Sequence, residues 1–407
     1  MFEMTLDEIL NTTPALAQVV EIKDAIKTPG SDRLTSYSLK GMGWTVISSN
    51  INQTEENFGE PRYKPSDKVI YIAIDSILPE KLERLLFPEG SKITLSGGRI
   101  KTLKLRGAYS QGMLINLSDF SKVVTDGDYD LKPGRDVTKA LGITKFEPPV
   151  SSIPKHMRGQ QSKKNPLFKE YTDVRHLKYY TESNIFEFGE LVYVTAKLHG
   201  TSARYALLPT YCPNLPRLCF GNLKEYGSLI IKHVKKFFGF LPEYEYCFGS
   251  RRCQLQDKPK DHKTFYEDNV YRTVGEAYGF KKILQPGEEL FGEIAGPGIQ
   301  KGYDYNFKEH KFFAYDVMIN GQFLDSENFK NWCDAREVPR VSELGVIPYD
   351  LDELTKLASA KTCLNGQKTR EGVVVKKVVE QNHPSCGRVC FKLINPEYLL
   401  KDQSDFH

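Results

Sequence analysis

The stretch Val192–Thr201 reads V-Y-V-T-A-K-L-H-G-T. Its β-forming residues carry a single cation, Lys197, to the lip of a turn that ends in Gly200. A lysine beside a turn is by itself an ordinary surface residue. The later parts of the chain give this one a chemical reading, because carboxylates, aromatics and further cations recur there on strand-like segments. Equipment of that kind suits a covalent nucleophile.

The totals bound the problem. A chain of 407 residues exceeds one ordinary core, so two domains are expected. A hydrophobic share of 40% with 12% aromatics is that of a soluble globular protein. No apolar run approaches the roughly 20 residues a membrane helix needs, and Met1–Leu10 is acidic and amphipathic rather than a basic-then-apolar leader. The expectation is an intracellular protein without a membrane partner. Cys212, Cys219, Cys247, Cys253, Cys333, Cys363, Cys386 and Cys390 form no C-x-x-C pair, which reads as reduced thiols and assigns them no metal.

The net charge of +4 is concentrated: residues 1–150 sum to −1, 151–170 to +4 and 171–407 to +1. The basic segment 151–170 also holds two prolines and few aliphatics, so it reads as a linker between a domain at 1–150 and one at 171–407. A solvated linker and a phosphate-backbone contact both fit it.

The first domain alternates short β-forming runs with turn signals. Candidate strands are Ala17–Ile22, Leu34–Leu39, Trp44–Ser48, Lys68–Ile74, Lys92–Leu95, Lys101–Lys104 and Met113–Asn116. Several short strands in one small unit favour a compact barrel, and the oligonucleotide-binding (OB) type is the natural candidate. The run Arg99–Arg106 alternates charge with apolar residues, so Arg99, Lys101, Lys104 and Arg106 are candidate nucleic-acid contacts. Strand parity splits them between two faces, and an exposed barrel strand reads equally well.

In the second domain, Leu191–Ala196, Glu289–Ile294, Phe312–Met318, Gly372–Val379 and Val389–Ile394 read as strands, and Leu223–Phe238 and Asn269–Gly279 as helices. Strands mixed with helices without a βαβ period indicate α+β. Gly249-Ser250-Arg251-Arg252 offers two guanidiniums for bidentate contact with phosphate or ribose. Leu290–Gln300 (L-F-G-E-I-A-G-P-G-I-Q) ends a strand with Glu293 before a Gly-Pro-Gly loop, and Phe312–Val317 (F-F-A-Y-D-V) puts Phe313 and Tyr315 on one strand face. Glu371–Lys376 (E-G-V-V-V-K) supplies a second carboxylate, and Phe391-Lys392-Leu393 a late lysine.

Those segments, in this order, resemble motifs I, Ia, III, IIIa, IV and V of the covalent lysine nucleotidyltransferases, specifically the ATP-dependent RNA ligases. The K-L-H-G of Lys197–Gly200 is similar to the RNA ligase 2 branch. Gly43–Val46, Val69–Glu80, Leu105–Gly112 and Leu141–Pro149 resemble the leader domain of the RNA ligase 5 group, so the resemblance covers nearly the whole chain. It implies an α+β protein in which an OB-like β-barrel precedes an adenylyltransferase domain of antiparallel sheets flanked by helices, ATP-grasp-like. It also implies joining of RNA 3′-OH to 5′-phosphate ends, at nicks, through a Lys197–AMP intermediate. ATP and Mg²⁺ or Mn²⁺ are the implied cofactors, an RNA or RNA/DNA nicked duplex the implied partner, and a monomer is favoured. The segment after Lys392 carries no counterpart of the C-terminal OB domain of DNA ligases and capping enzymes, which favours RNA ligase. A DNA ligase or capping-type transferase, or a nucleic-acid-binding protein with a degenerate transferase domain, remain the alternatives.

A lysine attacks phosphorus only as a free amine, and with an ordinary pKa of about 10.4 roughly one in a thousand is ready near neutral pH. The resemblance assigns Glu371 and Glu293 to a hydrated cation, with Glu293 also a candidate for the ribose. Lys392, Arg251 and Lys376 are assigned to the phosphates, Tyr315 with Phe313 as its rival to the base, and His199 and Gly200 to the nucleotide turn. Along a regular strand Glu371 and Lys376 face opposite ways, which makes Glu371 the safer assignment. Three positions depart from the family pattern. Ala196 stands where related ligases often carry a glutamate for the adenine amino group. Cys390 replaces a second motif V lysine unless Arg388 substitutes, and His199 replaces an aspartate.

Overall fold

The computed structural model describes residues 14–51, 59–91, 95–125, 129–146, 165–211, 243–255, 269–299, 305–364 and 369–400. The helix expected at Leu223–Phe238, nearly all of the strand expected at Lys92–Leu95, and the linker up to residue 164 lie outside them.

The N-terminal half contains β1 (Ala17–Lys27), β2 (Leu34–Leu39), β3 (Met42–Ser49), β4 (Lys68–Ile72), β5 (Ser76–Ile77), β6 (Thr102–Leu105), β7 (Ala108–Gln111), β8 (Met113–Asn116) and β9 (Thr144–Lys145). Five of them form an antiparallel sheet in the order β3-β2-β1-β4-β8, with β5–β9 and β6–β7 as two-stranded ribbons. β1 runs on to Lys27, five residues past its expected end, because its two halves serve different partners. Ala17–Glu21 pairs with β4 and Asp24–Lys27 with β2, and an irregularity between Ile22 and Asp24 bends the strand from one to the other. Ile47 N–H of β3 donates to Ser110 Oγ of β7 at 2.9 Å, which closes the sheet into a barrel. Val20, Tyr37, Val46, Tyr71 and Leu114, one from each strand of the sheet, fill it, while Val19, Ile70, Ile72 and Ile115 on the opposite face pack under the helices Glu80–Leu86 and Leu117–Val123.

The second half contains β10 (Arg175–His176), β11 (Leu191–Lys197), β12 (Thr201–Pro209), β13 (Tyr244–Ser250), β14 (Glu288–Ala295), β15 (Lys311–Ile319), β16 (Gln322–Phe323), β17 (Glu343–Pro348), β18 (Gly372–Lys377), β19 (Asn382–His383), β20 (Gly387–Arg388) and β21 (Cys390–Ile394). Two five-stranded sheets, β10-β21-β18-β11-β17 and β13-β12-β14-β15-β16, are joined by the turn between β11 and β12. β11 is a middle strand buried on both faces, which is why it reads as a nearly continuous apolar run. Val192 and Val194 enter the core beneath the helix Leu351–Ala358, and Thr195 and Lys197 face the other way. The helix Val270–Ala277 packs Val270 and Val274 on the second sheet; Asn269 caps its start, and Gly279, at φ 66°, follows its end.

Residues 165–170, expected from composition to end the linker, are part of this second half. Asn165 is buried and donates to Pro209 O at 3.0 Å and to Glu245 Oε1 at 2.7 Å, while Phe168 packs on Ala206 and Leu208. Tyr171–Tyr180 holds β10 and a 3₁₀ turn, Leu177–Tyr179, that docks on the barrel. There Trp44 meets His176 at 4.5 Å and Tyr179 at 5.2 Å between ring centroids, and Lys178 Nζ donates to Gln111 Oε1 at 2.6 Å. At the other end of the interface Glu397, in the helix Pro396–Leu399, accepts from Lys104 and Tyr109 of the β6–β7 ribbon. Among the described residues no helix is long and apolar enough to cross a membrane.

Candidate active site

Strand register assembles one wall of the site. Lys197 stands opposite Gly372, Thr195 opposite Val374 and Tyr193 opposite Lys376, while Val374 in turn stands opposite Lys392 on β21. Cross-strand partners share a face, so Lys197, Lys376 and Lys392 all rise from the side of this sheet away from its core. Gly372 is required there: a Cβ on it would lie 2.3 Å from Leu393 O. Glu371 Oε1 lies 2.5 Å from Lys197 Nζ, with the carboxylate buried. Burial raises the pKa of Glu371, and the charge and hydrogen bond of Lys197 oppose the rise.

The parity expectation for Glu371 and Lys376 is therefore corrected. Both line the same cavity, because Glu371 precedes the first residue of β18 and is not bound by its alternation. Lys376 is clamped rather than presented: its Nζ donates to Asp316 Oδ2 at 2.7 Å and to Tyr315 O at 3.0 Å. Arg388 also binds Asp316, at 2.8 Å, and Glu380 as well, so it does not take the place of the second motif V lysine in this cavity. Cys390 is buried near this group, and burial raises its thiol pKa.

The second sheet supplies the opposite wall. The turn at Gly200 crosses so close to β14 that a Cβ there would lie 2.3 Å from Ile294 O and 2.8 Å from Glu293 Cγ. Glu293 stands opposite Ser202 and Phe313 in the ladder. Burial pushes its carboxyl up to about 8; Lys197 opposes this and the charge of Glu371 adds to it. Tyr315 is the extra residue of a bulge opposite Phe291 and Gly292, which aims its ring into the cavity. Its hydroxyl lies 2.7 Å from Ser202 Oγ, and Tyr171 supports the ring at 4.8 Å between centroids. Phe313 joins the same apolar cluster but stacks on Phe307 at 5.9 Å, behind the lining.

His199 is buried in the floor. Its backbone N–H donates to Tyr305 Oη at 2.7 Å and its Nδ1 lies 2.6 Å from Tyr398 Oη. Burial, followed by the charge of Lys197, pushes the imidazole down to about 3. Lys392 is likewise pushed down to about 8 by burial and then by Lys197. Arg251, half-exposed at the mouth, pairs with Asp173 at 2.5 Å. The cavity holds about 370 Å³ and opens into a larger cleft between the two halves.

Among the described residues no three His, Cys, Asp or Glu side chains gather as a cation cage. Glu293 and Glu371 are instead two carboxylates sharing one buried pocket, and the charge of Glu371 raises the pKa of Glu293. Hard oxygen donors held together against their repulsion fit Mg²⁺ or Mn²⁺, which Mg²⁺-type sites hold with one or two carboxylates plus substrate phosphates.

The four candidate barrel contacts are dispersed. Arg99 pairs with Asp75 at 2.6 Å and lies 3.9 Å over the Phe146 ring, and Lys104 is bound to Glu397, while Lys101 and Arg106 are exposed. Asp316, Tyr171, Ser202, Tyr305 and Tyr398 were not singled out in the sequence. Asp316 lies within the F-F-A-Y-D-V segment, and its carboxylate inside an apolar strand was the available signal.

A sequence model of the RNA ligase family matches residues 190–394, and a model of an OB-fold domain matches residues 16–117. Among solved structures, a point mutant of a Naegleria gruberi RNA ligase with ATP and Mn superposes with a TM-score of 0.66 at 21% identity, covering 95% of this chain and 99% of that one. The same protein with PPi gives 0.66 at 21% identity, covering 96% and 99%. A further mutant with AMP and Mn gives 0.65 at 21% identity, covering 94% and 98%. At that identity the likeness is one of fold.

Proposed function

The chain belongs to the RNA ligase family, and on that premise we propose that it seals RNA 3′-OH to 5′-phosphate ends at nicks, using ATP through a Lys197–AMP intermediate. The observation that carries the reading is Lys197 Nζ held 2.5 Å from the buried Glu371 in a cavity it shares with Glu293 and Lys392.

Glu371 fixes where the amine sits and is the acceptor nearest to the proton the amine must shed. Burial raises its affinity for that proton. The amine attacks the α-phosphorus of ATP, a P–N bond forms, the α–β bridging P–O bond breaks and pyrophosphate leaves. Lys392 and Arg251 neutralise phosphate charge as it shifts to the leaving group, and the low-dielectric setting of Lys392 strengthens its pull. A divalent cation, for which Glu293 and Glu371 are the oxygen donors present, would add charge neutralisation at the phosphates. Tyr315, steadied by Ser202 and Tyr171, offers its ring to the adenine. AMP next passes to a 5′-phosphate, and a 3′-hydroxyl attacks that activated end and expels AMP.

The interdomain cleft meets the cavity at Gly200, Ser202, Arg251 and Lys392, a path by which polynucleotide ends reach Lys197. Nicked duplexes with RNA or DNA on the 3′-OH side test the substrate. RNA 3′-OH ends are expected to seal at least about tenfold faster, corresponding to roughly 1.4 kcal/mol. Equal rates with DNA 3′-OH ends would overturn the assignment to RNA.

A further inference from the structure

The helix Pro396–Leu399 stands immediately behind the nucleophile's turn. Asn395 N–H donates to Glu371 O at 2.9 Å and Asn395 Nδ2 donates to Arg370 O at 3.0 Å, which fastens this helix to the segment carrying the active-site carboxylate. Asn395 Oδ1 also accepts from Glu397 N–H at 3.0 Å, and Pro396 occupies the first turn, where its fixed φ suits a helix start. Tyr398, with no exposed surface, is thereby held in one place, and its hydroxyl meets His199 Nδ1 at 2.6 Å. His199 is two residues from Lys197 and lines the same cavity.

We propose that Tyr398 is a positioning residue: its phenol donates to His199 Nδ1, fixing the neutral imidazole with its proton on Nε2, so that the ring acts as a hydrogen-bond donor in AMP transfer and not as a base. A phenol is a stronger donor than an imidazole N–H, and an imidazole nitrogen a stronger acceptor than a phenol oxygen, so the short contact favours this polarity. The partner at one ring nitrogen then decides the chemistry of the other. A donor suits a pocket that handles phosphoryl oxygens, which carry only acceptors. The part the imidazole plays in AMP transfer rests on the ligase reading; its tautomer does not.

Two measurements test the proposal. With ¹⁵N-histidine labelling of the whole chain, which contains eight histidines, the His199 signals are identified by their loss in His199→Gln. The proton is expected on Nε2 in the wild type, with mixed tautomers in Tyr398→Phe. A proton on Nδ1 in the wild type overturns the proposal, and this holds even if Tyr398→Phe fails to fold. In single-turnover transfer of AMP to Lys197, Tyr398→Phe is expected to lower the rate about tenfold while changing KM for ATP less than about twofold. His199→Gln, whose amide reaches the Nε2 position, is expected to retain about tenfold more rate than His199→Asn, whose amide lies near Nδ1. An unchanged rate in Tyr398→Phe, or His199→Asn outperforming His199→Gln, overturns the role. If no AMP reaches Lys197 at all, the ligase reading fails while the tautomer result stands by itself.

Discussion

Replacing Asp316 with Asn probes the buried charge group that supports the base and phosphate side of the cavity. The Asp316 carboxylate is about 1% exposed and takes Lys376 at 2.7 Å, Arg388 at 2.8 Å and the Tyr171 hydroxyl at 2.6 Å. Its pKa is lowered: burial raises it, but Arg388 and Lys376 outweigh burial. In Asp316→Asn the geometry survives but one positive charge is left over. Arg388 keeps Glu380, so the uncompensated cation is Lys376, whose remaining acceptor is Tyr315 O at 3.0 Å. Breaking a buried pair this way costs about 3–5 kcal/mol. Thermal melts with urea titrations at pH 7 read it: a fall in Tm of about 6–20 °C, partly restored by adding Lys376→Met. In the wild type the Asp316 contribution is present above the unfolded carboxyl pKa and is lost as pH falls through the lowered folded value. A loss below about 1 kcal/mol, or one that does not shrink as pH falls through the range in which the Asp316 carboxyl titrates, would refute the reasoning.

Three further outcomes are expected. Glu293→Gln raises the Tm of the ligand-free protein at pH 8 and above while lowering activity. The carboxyl's folded pKa is raised to about 8, so its cost builds as pH climbs from about 4.5 and is complete above 8, and melting curves of the two proteins should converge near the lower value. Gly200→Ala forces a Cβ to within 2.3 Å of Ile294 O and displaces the turn after Lys197, so AMP transfer falls at least about a hundredfold; adenylylation with labelled ATP reads it. Tyr315→Ala raises KM for ATP, whereas Phe313→Ala, stacked on Phe307 behind the lining, costs about 1–3 kcal/mol of stability and leaves KM near wild type; steady-state kinetics and melts on both variants separate the two aromatics.

Legibility in the sequence followed how locally each feature is determined. β2 and β8 have the bounds expected from their residues because turn signals frame them, and Lys197, Glu293, Tyr315 and Lys392 were marked by the strands that carry them. The long reach of β1 was not legible, since Asp24 and Lys27 are strand residues only by virtue of pairing with β2. Parity misjudged Glu371 and Lys376 because a residue just outside a strand escapes its alternation. It succeeded for Phe313 and Tyr315 as same-face neighbours, yet could not say which of them a bulge would aim at the cavity. Arg99 and Lys104 looked like free charges because their partners, Asp75 and Glu397, are 24 and 293 residues away along the chain. Tyr398 was beyond reach for the same reason: a tyrosine 199 residues from His199 carries no local mark of its contact.

The central claim is that Lys197 is the nucleophile, and mapping the label after incubation with α-labelled ATP and Mg²⁺ tests it most directly. One AMP per chain is predicted, on the peptide containing Lys197, held by an acid-labile P–N bond, released as ATP by added pyrophosphate and absent from Lys197→Ala. Label on another residue, or equal labelling of Lys197→Ala, would contradict the account.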